Sequence, residues 1–187
     1  MADTANKVRF GIKNVHYAVL TDGATPSWGT PAAIPGAVSL SLSPEGGDNP
    51  FYADNQLYFT VVKNGGYSGD LECALFPADF LKAVFGLTEG ATSKVVTESS
   101  LVQPKPFALM FEEDGDVSGT KFVLYRCVAT RPEQGSQTTA DKIEVKTQKM
   151  SFKAYPMASD GSVMAYTQET TPEATLTAWY TSVFREA

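Results

Sequence analysis

Runs of alternating apolar and polar residues recur along this chain of 187 residues, and a period of two is the mark of half-buried strands. Turn-forming clusters separate the runs, and only one internal segment shows helical spacing. Together these observations predict a mainly β protein: an antiparallel β-sandwich or barrel flanked by one α-helix, with a long loop and terminal arms. At 20.1 kDa the chain fits a single domain spanning residues 1–187.

The elements follow in order. Residues 1–7 are polar and read as a mobile N-terminal arm. The clearest strand runs from Ala37 to Ser43, with Val38, Leu40 and Leu42 facing a core and Ser39, Ser41 and Ser43 facing away. Residues 43–55, rich in Gly, Pro, Asp and Asn, read as a long inter-strand loop, and loops of this length are often functional. Leu57 to Val62 alternates again, with Leu57, Phe59 and Val61 on one side and Tyr58 and Thr60 on the other. Asn64-Gly65-Gly66 predicts a hairpin turn, because such turns need positive φ. It leads into a strand from Gly69 to Phe76, with Leu71, Cys73 and Leu75 inward and Asp70 and Glu72 outward.

Pro77 to Gly86 predicts a helix with Phe80, Leu81, Val84 and Phe85 on one face, started by proline and stopped by glycine. Further strands are expected at Phe107 to Phe111, Lys121 to Ala129, Lys142 to Ala154 and Ser162 to Tyr166. Thr130 to Ala140 reads as a second irregular polar stretch. In the third of these strands the apolar phase shifts from odd (Ile143, Val145) to even (Met150, Phe152), which predicts a bulge near Thr147 to Lys149. Residues 172–185 close the chain as a helix, with Leu176, Trp179, Tyr180 and Val183 at helical spacing.

The composition excludes several functions. Fifteen Lys and Arg against 21 Asp and Glu leave a net charge of -6, the wrong sign for a protein that grips nucleic acid. No apolar run reaches the length of a membrane helix, and no secretory signal pattern opens the chain. Cys73 and Cys127 belong to no metal spacing and read as small buried hydrophobes. No phosphate-loop, HExxH or GxSxG motif is present. A catalytic device would have to use the single histidine, His16, which reads as structural within a strand-like segment. Glu112-Glu113-Asp114-Gly115-Asp116 concentrates carboxylates but lacks calcium-loop spacing, so it reads as a turn. The residues therefore point to a protein without catalytic, cofactor or metal sites. A small β-sandwich binding module, taking a receptor or a sugar on loop aromatics such as Trp28, Phe51 and Tyr52, is the alternative these residues leave open.

Seven segments in one order resemble the major tail protein, or tail-tube protein, of long flexible-tailed phages. They are Phe10-Gly11-Ile12-Lys13-Asn14-Val15-His16-Tyr17-Ala18; Trp28-Gly29-Thr30-Pro31 with Ile34-Pro35-Gly36-Ala37; the serine–leucine alternation with Tyr52-Ala53-Asp54-Asn55; the helix Asp79 to Gly86; Phe107-Ala108-Leu109-Met110-Phe111; Gly119-Thr120-Lys121-Phe122-Val123-Leu124-Tyr125-Arg126; and Trp179-Tyr180-Thr181-Ser182-Val183-Phe184. The resemblance covers nearly the whole chain. It implies a structural virion protein of the phage tail-tube fold that forms six-membered rings, stacked into a hollow tube for genome ejection. The implied partners are copies of itself, a tape measure protein in the lumen, the tail-tip and terminator proteins, and double-stranded DNA in passage. The implied location is the virion tail, after synthesis in the host cytoplasm.

The residue pattern is compatible with such a tube. About four strands from each of six subunits, spaced at ~4.8 Å and tilted ~40°, enclose a barrel of ~48 Å backbone diameter. A wall of hydroxyls and carboxylates would let phosphates pass. Ser39, Ser41, Thr60, Asp70 and Glu72 are the expected lumen-facing residues. Glu45, Asp48, Phe51, Tyr52 and Asp54 in the expected loop would reach the neighbouring ring, with Phe51 and Tyr52 as anchors.

Overall fold

The computed structural model describes residues 10–23, 25–115, 119–136, 138 and 145–186; the expected arm at 1–7, Asp116 and Ile143 lie outside them. Among the described residues the elements follow in the order β1 (Ile12–Thr21), β2 (Ser27–Trp28), β3 (Ala32–Ala33), β4 (Ala37–Ala53), β5 (Gln56–Cys73), α1 (Ala78–Phe85), β6 (Thr88–Glu89), β7 (Val96–Thr97), β8 (Phe107–Glu113), β9 (Lys121–Ala129), β10 (Gln148–Ala154), β11 (Met164–Tyr166) and α2 (Glu173–Ala178). The architecture is mainly β and antiparallel, as the alternation predicts. One large sheet runs β2-β1-β8-β9-β10-β5-β4, with β3 on β1 and β11 on β9, and β6 and β7 pair separately.

That sheet rolls over on itself, so Cα atoms of β1 and β4 come within 8 Å although the two strands do not pair. The roll makes two layers around a core fed by Val15 and Tyr17 of β1, Leu71 and Cys73 of β5, Phe107, Leu109 and Phe111 of β8, Leu124 and Cys127 of β9, and Met150 and Phe152 of β10. A second, smaller cluster covers the far face of β1, β8 and β9. It is built from Ala18, Leu20, Ala108, Met110, Val123, Tyr125, Met157 and Trp179. The central strand β8 is thus buried on both faces, which is why Phe107-Ala108-Leu109-Met110-Phe111 is an unbroken apolar run. On β9 the register to β8 slips by one residue between Phe107↔Cys127 and Leu109↔Leu124. That slip moves the inward set from Phe122 and Leu124 to Cys127 and Ala129.

The predicted helix forms as α1. Pro77 precedes it at φ -60°, and Gly86 ends it in the left-handed region at φ 66°, donating its N–H to Lys82 O at 3.1 Å. Phe80 is its fully buried anchor. Its ring meets Tyr17, Phe76, Phe85 and Phe107 with centroids 4.9–5.9 Å away, mostly edge to face.

Several expectations are corrected. The expected loop 43–55 is strand: β4 continues to Ala53, and the hairpin is the two-residue turn Asp54-Asn55, at φ 52° and 58°. Two successive left-handed residues are what a type I′ turn demands, and Asp and Asn tolerate that conformation. Asn64-Gly65-Gly66 is not a turn. It lies inside β5, where Glu45 pairs Gly66 and Gly46 pairs Asn64, leaving Gly65 as an extra residue. The Gly66 N–H donates to Asn64 Oδ1 at 3.0 Å, which stabilises this bulge. Leu75, expected inward, is exposed, and so is Val38, the extra residue of a bulge between Ala37 and Ser39; Leu57, Phe59 and Val61 do not share one side, because the extra residue Tyr58 turns Leu57 away from the other two, and all three are exposed. The bulge expected at 147–149 is absent because β10 begins at Gln148.

The expected helix at 172–185 ends at Ala178. The Thr181 and Ser182 amides turn back onto Ala178 O at 2.9 and 3.4 Å, and this lets Phe184 stack on the buried Trp179 at 5.5 Å. Arg185 then lies over the rings of Trp28 and Tyr125 and pairs with Asp160 at 2.5 Å. Aromatic packing outside the helix outweighs the one or two further turns that helical spacing offered.

Glycines at the Gly65 bulge differ in what they allow. A Cβ on Gly66, at φ 96°, would stand 1.9 Å from Ala154 O, whereas one on Gly47 would meet nothing within 4 Å. Gly66→Ala is expected to cost at least about 2 kcal/mol in urea unfolding, and Gly47→Ala less than about 0.5 kcal/mol.

Candidate assembly interface

Two surfaces stand out, and both belong to β4 and β5. The first is the outward face of the layer formed by β4, β5, β10 and the end of β9. Register places Ser39, Glu72 and Lys149 on one rung, Ser41, Asp70 and Ser151 on the next, and Ser43, Ser68 and Lys153 on a third. Alternation sends every one of these side chains away from the core, while Leu40, Leu71, Met150 and Phe152 go into it.

The charges on this face are tied to one another. Ser39 Oγ donates to Glu72 Oε2 at 3.0 Å, and Thr147 Oγ1 donates to Glu72 Oε1. Ser151 Oγ donates to Asp70 Oδ1 at 2.6 Å, and Lys149 Nζ sits 3.1 Å from Asp70 Oδ2. Lys153 reaches Glu45 at 3.9 Å. Hydrogen bonds hold both carboxyls below their ordinary range: the Ser151 hydroxyl and then the Lys149 ammonium act on Asp70, and the Thr147 and then the Ser39 hydroxyl on Glu72. The wall therefore stays charged well into acid, yet each charge already has a neighbour.

Four of the five expected lumen residues share this face, and Thr60 does not. The parity of β4 is unbroken from Ser39 to Ala53, but the extra residue at Gly65 shifts β5 by one. Thr60 pairs with Pro50 and falls on the opposite face from Ser39, Ser41, Asp70 and Glu72.

The second surface is the ribbon beyond that bulge, residues 46–63. It carries the expected ring-contact residues Asp48, Phe51, Tyr52 and Asp54, while Glu45 sits just before it, half-buried. No other part of the described chain pairs with or covers this ribbon. Phe51, Tyr52, Leu57, Tyr58, Phe59, Val61 and Val62 are all exposed on it, and the aromatic four retain 60%, 64%, 76% and 61% of their surface. A two-stranded ribbon is marginal in water without a covered face, and a patch of this kind marks an association site.

The sheet also has open edges. Among the described residues no strand pairs with the outer side of β4 along its 17 residues. On the other side of this layer, the chain after β9 keeps bonding β10 in an irregular run, with Thr130 N–H donating to Ser151 O and Glu133 N–H donating to Lys149 O, both at 2.9 Å. Its far side takes no backbone hydrogen bond among the described residues. The four runs are antiparallel throughout, so the two outer ones point in opposite directions.

The residues weighed for chemistry are placed elsewhere. His16 Nδ1 lies 2.8 Å from Asn14 O, and its ring rests against Tyr180 at 4.4 Å. Glu112 is buried and accepts from Lys121 Nζ and, at 3.0 Å, from Asn14 Nδ2. Burial pushes its carboxyl up, but Lys121 and then Asn14, with a smaller contribution from Tyr180, hold it below the ordinary range. Asp114 pairs with Lys13 at 3.0 Å. Cys73 and Cys127 are free and buried, and burial pushes the Cys73 thiol up to about 11. Among the described residues no group of His, Cys, Asp and Glu is arranged to hold a metal, and no helix is long and apolar enough to cross a membrane.

Fold and surface together define a mainly β antiparallel protein with an open-edged polar layer and an uncovered apolar ribbon. No family model and no curated protein matches the chain. Solved structures with a similar chain path include one from the baseplate of the anti-feeding prophage (AFP), at 13% identity over 90% of this chain and 99% of that one, with a TM-score of 0.44. Another is from the sheath–tube complex of the extracellular contractile injection system PVC in its extended state, at 9% identity over 86% and 93% of the two chains, with a TM-score of 0.45. A third is from the tube-terminating cap of the anti-feeding prophage, at 12% identity over 90% and 99%, with a TM-score of 0.41.

Two outcomes test the electrostatics. Lys121→Met leaves the buried Glu112 carboxylate without its cation and is expected to cost about 3 kcal/mol at neutral pH. In the native protein the lowered Glu112 pKa stabilises the fold above the unfolded value of ~4.3, and that contribution disappears as pH falls through the folded value. In the variant burial acts on that carboxyl without the opposing ammonium, so its pKa rises and the deficit should shrink as acid neutralises it; urea unfolding from pH 7 to pH 4 measures this. Ser151→Ala removes the main partner of Asp70, and carboxyl-carbon NMR should show the Asp70 midpoint rising toward ~3.9.

Proposed function

We propose that this chain is a structural component of a phage-tail-type tube, joining copies of itself into six-membered rings that stack around a channel. The observation that carries this reading is the polar four-run layer with two open edges of opposite direction. A copy placed beside β4 in the same orientation meets it antiparallel, so the sheet can continue from subunit to subunit, and ring closure removes the edges that otherwise invite uncontrolled pairing. Six such layers supply about 24 strands and a barrel of ~48 Å.

Ser39, Ser41, Asp70 and Glu72 then face the channel, with Lys149 and Lys153 among them. Because each carboxylate is matched within its own subunit, the wall offers DNA neither a cationic trap nor a bare anionic field. The ribbon with Asp48, Phe51, Tyr52 and Asp54 reaches out of its own ring to the next. The ordered resemblance of seven sequence segments to tail-tube proteins supports the same reading. The binding-module alternative draws on one feature, the aromatic cluster at the tip of the ribbon.

Negative-stain electron microscopy of concentrated protein, paired with gel filtration, tests the proposal. Six-fold rings or hollow rods are expected from the intact chain. A variant in which residues 47–63 are replaced by a two-residue turn should fold as a monomer and form no rods. Rods of normal length from that variant would exclude a role for the ribbon in stacking. An intact chain that stays a monomer at every concentration and binds a receptor or sugar would favour the alternative.

A further inference from the structure

Strand register divides the ribbon into two unlike faces. Odd-numbered β4 residues and their partners put Asn49, Phe51, Phe59, Val61 and Lys63 on one face, through the pairs Phe51↔Phe59, Asn49↔Val61 and Gly47↔Lys63. The pairs Tyr52↔Leu57, Pro50↔Thr60 and Asp48↔Val62 put Tyr52, Leu57, Pro50 and Val62 on the other, together with the polar Thr60 and Asp48. Tyr58 is the extra residue of the bulge between them, and its ring stands edge-on to Phe51 at 6.4 Å. A ribbon with one covered side alternates apolar with polar, as β10 does in this same chain. This ribbon instead exposes large apolar side chains on both sides, Phe51, Phe59 and Val61 on one and Tyr52, Leu57 and Val62 on the other, so both sides are built to be covered.

One flat partner surface cannot cover two opposite faces. We infer that the ribbon of each chain is held between two other copies, one on each face; this deepens the tube reading above and rests on it. Area supports a second copy as the occupant. The four aromatic rings, at their observed exposures and about 200 Å² each, leave roughly 500 Å² uncovered. Leu57, Val61 and Val62 bring the total close to the ~800 Å² that one partner contributes to a stable interface. Divided between two faces, each contact covers about half of that. Neither is sufficient alone, and the two together are.

The same chain also offers a matching hollow. Where β1 and β4 approach without pairing, a trough of about 400 Å³ is lined by Ile12, Val38, Leu40, Leu42 and Phe111, with Glu113 at its edge. The first ribbon face presents the complement, an apolar ridge with the Lys63 ammonium at its end. A ridge and a hollow at different places on one chain make head-to-tail contacts between copies.

Photocrosslinking separates the possibilities. Chains carrying benzoylphenylalanine in place of Phe59, of Leu57, or of both are assembled in excess unmodified chain, irradiated and run on a denaturing gel. Each single replacement should give a two-chain product near twice the 20.1 kDa chain mass. The double replacement should give a three-chain product. A double replacement that stops at two chains while both singles crosslink would overturn the two-copy clasp and leave self-assembly standing. No product from one face would likewise overturn it. No product from any of the three, in protein that elutes as a monomer, would overturn self-assembly and the clasp together.

Discussion

The structure depends on one long antiparallel ladder, β4 against β5. A ladder satisfies the backbone donors and acceptors of both strands wherever they lie, but apolar side chains need cover as well. In the lower half both conditions are met, because Leu40, Leu42, Leu71 and Cys73 pack into the core. In the upper half only the first is met. The extra residue at Gly65 marks the boundary, and past it the chain holds its backbone pairing while its side chains remain uncovered. The location of the polar wall, the reach of the ribbon and the open outer edge of β4 all follow from that ladder.

Much of the body was legible from the residues alone. The α1 helix, the serine face of β4, the inward Leu71 and Cys73, and strands β8 and β9 all follow from periodicity and from Pro and Gly punctuation. What escaped reading has physical causes. Asn-Gly-Gly is a stronger turn signal than Asp-Asn, so the hairpin was expected ten residues late. Both sequences supply left-handed residues, but at Gly65 the extra residue is absorbed within the ladder. Residues 43–55 hold two glycines and two prolines, and a strand there depends on pairing with a distant partner, which composition does not reveal.

The candidate surface was half legible for the same reason. Alternation assigns Ser39, Ser41, Asp70 and Glu72 to a shared face because no extra residue falls between them. Thr60 lies between the extra residues Gly65 and Tyr58, where the first of them reverses the parity of its strand. Phe51 and Tyr52 were visible as unusual exposed aromatics, but adjacent residues on a strand point to opposite sides. Only the register shows that each heads a different apolar face.

The layering has a further consequence for how the molecule can be used. From the serine wall the order runs through the β4–β5–β10 layer, the main core, the β1–β8–β9 layer, and last the segment holding Trp179, Phe184 and Arg185. The C-terminal segment therefore lies on the layer farthest from the wall. A label attached to that segment would therefore stand on the side of the molecule opposite the serine wall.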